Sequence, residues 1–274
     1  MSGKKKKKSG AGYTVAIIIC LCVAAFAAYR LITILNEYHQ GTSEYDSLLD
    51  YTEETPDETP SATDGGASAA SSGDGTAAAS VQDGGIPACP LSVDFTALRK
   101  INEEIVGWVY IGGVGISYPI VQGADDDYYL HRTFRRQSNF AGSIFMEYQN
   151  SPDFSDPNTI IYGHNMKNGS MFGKLKRLVN DGTWQKDPYF WILTPDGNFC
   201  YKMFSLKKVS VESDVYTLFS GTDDSFVRFA EKMKEESSVD TGDVSFTVQS
   251  RIVTLSTCTG DSSSRFVVQG VRVN

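Results

Sequence analysis

Three side chains lie at the ends of strand-like runs and have the types that nucleophilic catalysis uses. Cys258 ends the run RIVTLSTC, Arg265 begins RFVVQGVRV, and His164 follows NTIIYG. If the last two runs pair as a hairpin through TGDSSS, Cys258 and Arg265 face each other at its mouth. The sequence alone does not place the strand of His164 beside this hairpin, although a small barrel would do so.

These three groups would suit acyl transfer if they met. A thiolate is the nucleophile, and a neighbouring imidazolium or guanidinium favours it by lowering the pKa of the thiol. The same histidine can protonate a leaving amine, and an arginine can donate hydrogen bonds to an oxyanion. Taken one at a time, each residue also has a structural explanation: a turn histidine, a buried thiol and a solvated strand-edge charge.

Other kinds of site find little support in the sequence. His131, in YYLHRTF, competes with His164 for the role of the base, but its polar and basic surroundings favour a surface role. The three histidines lack metal-ligand spacing, and GWVYIGGVG lacks the helix and lysine of a phosphate-binding loop. We therefore predict no metal ion and no other cofactor. The net charge of −8 disfavours a general nucleic-acid binder.

The N-terminal region has the pattern of a membrane anchor. Residues 4–8 are lysines, and residues 13–35 are mostly apolar with Arg30 as their one charged residue, which lies near one end and can snorkel. A span needs about 20 apolar residues. A cleaved signal peptide is the alternative, but the residues after 35 offer no small-x-small cleavage site. We predict a cytoplasmic basic tail over 1–12 and a single-pass anchor over 13–35, with the following chain outside the cell.

The rest of the chain divides into a linker and a folded domain. Residues 36–90 are acidic, contain a low-complexity stretch and have few large apolar residues, so we predict a disordered linker. Residues 91–274 carry the periodic apolar patterns and are predicted to fold as the catalytic domain. Many short strands with few helices indicate a mainly β fold, a barrel or sandwich with helical additions.

Several elements of this domain can be located. We expect a helix that begins after Asp94, and another that begins after Asp223 or Asp224. A hairpin is predicted around the turn PDGN, with Cys200 in its second strand as a core residue. SMFGKLKRLV is expected to be helical, and VSFTVQSRIVTLSTC is expected to be extended. The predicted buried stripe of the second helix consists of Phe226, Phe229, Ala230 and Met233.

The motifs together resemble those of class B sortases. TLSTC followed by an arginine and a valine-rich last strand resembles the family's active-site signature, and residues 158–175 resemble its histidine segment. INEEIVGWVYI, ISYPIVQ, YYLHRTF and GSIFMEYQN also follow that class. The resemblance covers residues 91–274 and implies a closed eight-stranded sortase β-barrel, with an N-terminal helix and a long helix before the cysteine strand.

The resemblance also implies an activity and a set of site residues. A class B sortase is a cysteine transpeptidase that cleaves a C-terminal sorting signal through a thioacyl enzyme and transfers the protein to a peptidoglycan amine. By matching motifs, His164, Cys258 and Arg265 would be catalytic, and Leu130 and Ser256 would lie near the substrate. This chain has Asp126 where the family often has asparagine, which bears on the peptide preference.

The expected partners follow from this resemblance. They are secreted proteins with a C-terminal sorting signal, a peptidoglycan precursor or other amine acceptor, and the membrane that holds the N-terminal helix; no nucleic acid is expected. Two alternatives stay open at this point. One is a hydrolytic surface cysteine protease with the same groups, and the other is a non-catalytic surface scaffold domain.

Overall fold

The fold is that of a computed structural model, which describes residues 11–55, 85–258 and 263–274. At residues 11 and 258 only the backbone is described. The chain divides into two compact units, Met1–Ser43 and Glu44–Asn274. The lysines at 4–8 and residues 56–84 of the predicted linker lie outside the described residues.

The first unit contains most of one long helix, α1 (Ala11–Leu48). Its side chains between residues 12 and 32 are exposed, including Ile18, Leu21 and Phe26. Its most apolar window has a mean hydropathy of 2.5, so the helix is long and apolar enough to cross a membrane.

The predicted linker over 36–90 is corrected at its N-terminal end. The second compact unit begins at Glu44, whereas the sequence predicts that the folded domain begins at residue 91. Residues 36–48 continue α1, and Tyr45 and Leu48 are buried in the second unit. The Tyr45 hydroxyl donates to the Gly142 carbonyl over 2.6 Å. Strand β1 (Thr52–Glu54) then pairs with β2 (Leu91–Val93) in an antiparallel ribbon. These apolar anchors order a segment whose acidic composition predicted disorder.

Eight further strands form a closed barrel. Its strands are β3 (Ile105–Ile111), β4 (Ile116–Val121), β5 (Ile144–Met146), β6 (Asn158–Gly163), β7 (Tyr189–Thr194), β8 (Gly197–Ser210), β9 (Ile252–Cys258) and β10 (Ser264–Arg272). Their order around the barrel is β10-β8-β7-β3-β4-β5-β6-β9, with the last closing on the first. β6 runs parallel to β9, whereas β9 and β10 are antiparallel. The predicted eight-stranded barrel is confirmed.

Helices cover parts of this barrel. They are α2 (Phe95–Ile101), the short α3 (Arg177–Asn180) and α4 (Thr183–Lys186), and α5 (Asp224–Glu235). The N-caps are as predicted, because the carboxylates of Asp94 and Asp223 accept from the backbone at Ala97 and Ser225. The predicted stripe of α5 is buried and packs with Phe204, Ile252, Val267 and Val271. This core fixes the outer face of β9 and β10.

Two of the predicted elements are wrong. SMFGKLKRLV does not form one helix, because Met171 has φ 54° and Gly173 packs against the backbone of Met166. It forms a 3-10 turn, Phe172–Lys174, followed by α3. Residues 244–250 are not a strand either, because their chain turns as it buries Phe246 against Phe204, with ring centroids 4.8 Å apart.

Candidate active site

The strand register brings the three predicted catalytic positions to one end of the barrel. Gly163 of β6 is opposite Thr257 of β9, and Cys258 is opposite Arg265 of β10. His164 directly follows Gly163, as Cys258 follows Thr257, so the three positions end adjacent strands. The predicted hairpin register is therefore confirmed, and the strand of His164 lies beside it.

Close packing explains why a glycine precedes His164. A Cβ atom at Gly163 would lie 2.4 Å from Ile144 Cδ1 and 2.7 Å from Phe172 Cδ2, far inside van der Waals contact. Only a residue without a side chain lets β6 approach these two groups. The end of β6, and with it the backbone of His164, is fixed by this contact.

The tautomer of His164 follows from its hydrogen bond. Its Nε2 lies 2.7 Å from the carbonyl oxygen of Leu130, which can only accept, so Nε2 carries the proton. Nδ1 is then the nitrogen that can gain and lose a proton. Burial lowers the pKa of His164 and the nearby His131 adds to this effect, while the bond to Leu130 opposes it.

The turn Tyr129–His131 supplies two neighbours of the His164 ring. Leu130 is half-buried, and its backbone carbonyl is the group that contacts His164. His131 is exposed, as the sequence predicts, but its ring also stacks on His164 with centroids 6.2 Å apart. Gly142, with φ 57°, packs so closely on this turn that a Cβ atom would lie 2.5 Å from the Leu130 carbonyl oxygen.

Arg265 is half-buried at the mouth of the hairpin. Its Nη1 donates to the carbonyl oxygen of Ser264 over 3.0 Å. Its backbone is held on both sides, since it is opposite Cys258 in β9 and Val209 in β8. A permanently charged guanidinium is thus kept beside the cysteine position in the strand register.

Ser256 lies two residues before Cys258 in β9. Ser256 is buried, and its Oγ lies 2.9 Å from the hydroxyl oxygen of Tyr216. The Tyr216 ring also stacks on Tyr162, with centroids 6.4 Å apart. The sequence did not single out Tyr216 or Tyr162, because neither has a motif or spacing that marks it.

A buried amide holds the segment that carries Tyr216. The Asn158 Nδ2 atom donates to the carbonyls of Val215 and Thr217, each over 3.0 Å. Its Oδ1 atom accepts from the Thr254 hydroxyl over 2.8 Å, and Thr254 Oγ1 accepts in turn from Gln269 Nε2 over 3.1 Å. Neutral groups from β6, β9 and β10 thus support this side of the site.

An ionisable cluster adjoins the other side of Tyr162. The Tyr162 hydroxyl donates to the buried carboxylate of Glu147 over 3.0 Å. Asp126 shares a hydrogen bond with Glu147 and accepts from the backbone of Tyr148 over 3.1 Å. Burial, the bond to Glu147 and repulsion by that carboxylate raise the pKa of Asp126 to about 7.

The remaining described candidates for chemistry are Cys200 and possible metal ligands. Cys200 is buried as predicted, and this burial raises its thiol pKa to about 12, which makes it a poor nucleophile. Within the described ranges, no three His, Cys, Asp or Glu side chains cluster as metal ligands would.

Comparison with known proteins assigns the chain to a family. Residues 109–273 match the model of the sortase domain. The chain belongs to the sortase family. This sortase is similar to sortase B of Listeria monocytogenes, with 39% identity over 179 residues that cover 63% of this chain and 71% of the relative. It is also 32% identical to sortase B of Staphylococcus aureus over 177 residues, 64% of this chain and 72% of that one.

The fold comparison agrees with the sequences. A crystal structure of sortase B from Bacillus anthracis superposes with a TM-score of 0.67 at 31% identity, covering 88% of this chain and all of that one. The sortase is thus of class B, and it is an enzyme of the cysteine transpeptidase type.

Proposed function

We propose that this class B sortase cleaves a C-terminal sorting signal of secreted proteins and joins them to a peptidoglycan amine. Cys258 is the nucleophile, His164 is the general acid and base, and Arg265 stabilises the oxyanion. The observation that best supports these roles is the register of β6, β9 and β10. It places the end of β6, the end of β9 and the beginning of β10 side by side, at the positions of these three residues.

In the first half-reaction the Cys258 thiolate attacks the carbonyl carbon of the scissile peptide bond. Charge develops on the carbonyl oxygen, and the Arg265 guanidinium donates to it. The carbon–nitrogen bond then breaks as the leaving amine takes the proton of the His164 imidazolium. A thioester at Cys258 and a neutral His164 result.

In the second half-reaction an amine attacks the thioester and transfers one proton to His164. The carbon–sulfur bond breaks, and the thiolate and the imidazolium are restored. Because the Nε2–H group of His164 donates to the Leu130 carbonyl, Nδ1 is the atom that exchanges the proton in both half-reactions. Leu130 and Ser256 line the peptide groove, Leu130 beside His164 and Ser256 two residues before Cys258 in β9.

The same proposal covers the location of the enzyme. Residues 13–35 form a single-pass anchor with residues 1–12 in the cytoplasm, and the catalytic domain faces outward to meet exported substrates. The length and apolar character of α1 support this. A protease added outside intact cells should digest the domain and leave a tag at residue 1 intact. Digestion of the tag alone would indicate the opposite orientation and contradict the proposal.

The decisive experiment uses the full chain in detergent micelles and the matched Cys258→Ala variant. Both are incubated with peptides of the NPxTN, SPxTG and LPxTG types and analysed by intact mass. A thioacyl adduct that depends on Cys258 supports the proposal and identifies the signal. Cleavage with no adduct, or an adduct that persists in the variant, would contradict it.

A second measurement separates transfer from hydrolysis. Oligoglycine or a diaminopimelate-type amine is added to the acylated enzyme, and the products are identified by mass spectrometry. A ligated peptide is expected for a transpeptidase. Release of the free acid alone, at every amine concentration, would instead favour a hydrolytic protease.

A further inference from the structure

His131 is a neighbour of His164 to which the proposed function gives no role. The two imidazole rings lie with centroids 6.2 Å apart and an interplanar angle of 27°, which is a stacked arrangement. Both neighbours of His164 in this turn come from consecutive residues, the carbonyl of Leu130 and the ring of His131. The Leu130 carbonyl thus contacts the edge of the His164 ring, and the His131 ring stacks on its face.

The backbone of His131 is fixed on several sides. Its carbonyl accepts from the Asn139 amide over 3.0 Å, and the next residue, Arg132, forms a bridge with Ser138. On the other side Tyr129 is buried, and its hydroxyl accepts from the Asn102 amide over 2.8 Å. The turn cannot drift away from His164 without breaking these contacts.

The ring of His131 is nevertheless exposed, so it can exchange protons with solvent. Nearby cations have other contacts: the Arg132 guanidinium lies 4.4 Å from the centre of the Tyr128 ring, and Arg136 pairs with Glu104 over 3.1 Å. On the strands, Cys258 and Arg265 take register positions at the barrel end where His164 follows β6. From the turn, the described group whose charge acts on His164 is His131.

We propose that His131 is a positioning residue, which holds the His164 ring by stacking and, when protonated itself, opposes protonation of His164. This rests on the proposed roles, in which His164 must gain and lose a proton. Two like charges at this distance repel each other, so a charge on one ring disfavours a charge on the other. Protonation of His131 would thus reduce the share of molecules that carry the His164 imidazolium.

The size of the effect follows from the separation. At 6.2 Å, full screening by water gives a coupling of about half a pKa unit, and weaker screening gives more. A permanent cation at position 131 would apply this repulsion at every pH. A neutral side chain would remove both the repulsion and the stacked ring.

The test is a proton titration of the full chain in detergent micelles, with carbon-13 in the histidine rings. The chain has three histidines, so His39→Gln and His131→Gln assign the signals. In His131→Gln we expect the midpoint of His164 to rise by about half a unit or more, and in His131→Lys to fall below the Gln value. His39→Gln, at an exposed position of α1, is the control and should leave it unchanged.

A midpoint of His164 that is the same in the wild type and in both His131 variants would overturn the inference. The limb of the pH–rate profile for peptide cleavage that reports on His164 should move in the same direction as this midpoint. Because the titration needs no peptide, the two proposals fail separately. A shifted midpoint without Cys258-dependent cleavage would leave this inference standing and remove the proposed function, and cleavage with an unshifted midpoint would do the reverse.

Discussion

His164 and Cys258 end neighbouring strands, but the two strands are supported by different chemistry. On the histidine side, the carbonyl of Leu130, the ring of His131 and the carboxyl pair of Asp126 and Glu147 adjoin β6. On the cysteine side, β9 is supported by neutral hydroxyls and amides that link Ser256, Tyr216 and Asn158.

This difference has a consequence for the response to pH. Amide and hydroxyl networks keep their hydrogen bonds over the whole physiological range, whereas Asp126, whose pKa is about 7, changes charge within it. The support on the histidine side should therefore respond to pH, and the neutral hydrogen-bond network on the cysteine side should respond only to the loss of a group.

The largest effect is expected on the cysteine side, from Arg265→Lys. A lysine keeps the charge but not the planar fork of donors, so we expect thioacyl formation to slow by about 10²–10³-fold. The measurement is the rate of adduct formation by rapid-quench mass spectrometry. Arg272→Lys, at the far end of the same strand, is the matched control and should keep nearly the wild-type rate. Near-normal rates in Arg265→Lys would remove this residue from oxyanion stabilisation.

On the histidine side the largest effect is expected from Gly163→Ala. The new Cβ atom would overlap Ile144 and Phe172, so β6 must shift and move His164. We expect a loss of about 1–3 kcal/mol in the free energy of unfolding and a fall in activity that exceeds the unfolded fraction. Gly221→Ala is the control, since a Cβ atom there meets nothing within 4 Å. If Gly163→Ala cleaves peptide normally, the close packing does not position His164.

The sequence predicted the parts of this site that depend on local pairing. The hairpin from Cys258 to Arg265 needs only a short turn, so its register could be predicted from two apolar runs. The pairing of β6 with β9 joins residues about 90 positions apart, and no local pattern encodes it. The motif resemblance supplied that contact, because it carries the fold of the family.

The residues that sequence reasoning missed act through tertiary contacts. Tyr216 follows an irregular segment and has no motif, and its role appears only when its hydroxyl meets Ser256. Residues 44–55 have an acidic composition that predicted disorder, yet Tyr45 and Leu48 are buried and residues 52–54 pair with β2. Composition is an average over many residues and does not register single buried side chains. The prediction from composition therefore placed the start of the folded unit too late in the chain.

A smaller effect is expected on the cysteine side from Asn158→Ala. The change leaves the carbonyls of Val215 and Thr217 and the Thr254 hydroxyl without this partner, so we expect a loss of about 2–3 kcal/mol in stability. The melting temperature should fall by about 4–10 °C at pH 5 and at pH 8 alike, because no group of the network titrates. Asn198→Ala, at an exposed position, is the control. A loss that differs strongly between the two pH values would contradict a neutral support.

The smallest effect, and the most dependent on pH, is expected from Asp126→Asn. An unfolded aspartate has a pKa of about 3.9, whereas that of Asp126 in the fold is about 7. Between these values the native state binds the extra proton, so its stability is present at low pH and is lost as pH rises through about 7. Since Asp126 is partly exposed, solvent screening limits the loss to about 1 kcal/mol.

An asparagine at position 126 cannot ionise, and this pH-dependent loss should therefore disappear. We expect Asp126→Asn to melt about 2–4 °C above the wild type at pH 8 and close to it at pH 4–5. Asp127→Asn, the exposed neighbour, is the matched control and should follow the wild type at both pH values. If Asp126→Asn gives the same difference at both pH values, the carboxyl pair is not what makes the histidine side respond to pH. The His131 titration would then test whether the imidazole pair alone accounts for that response.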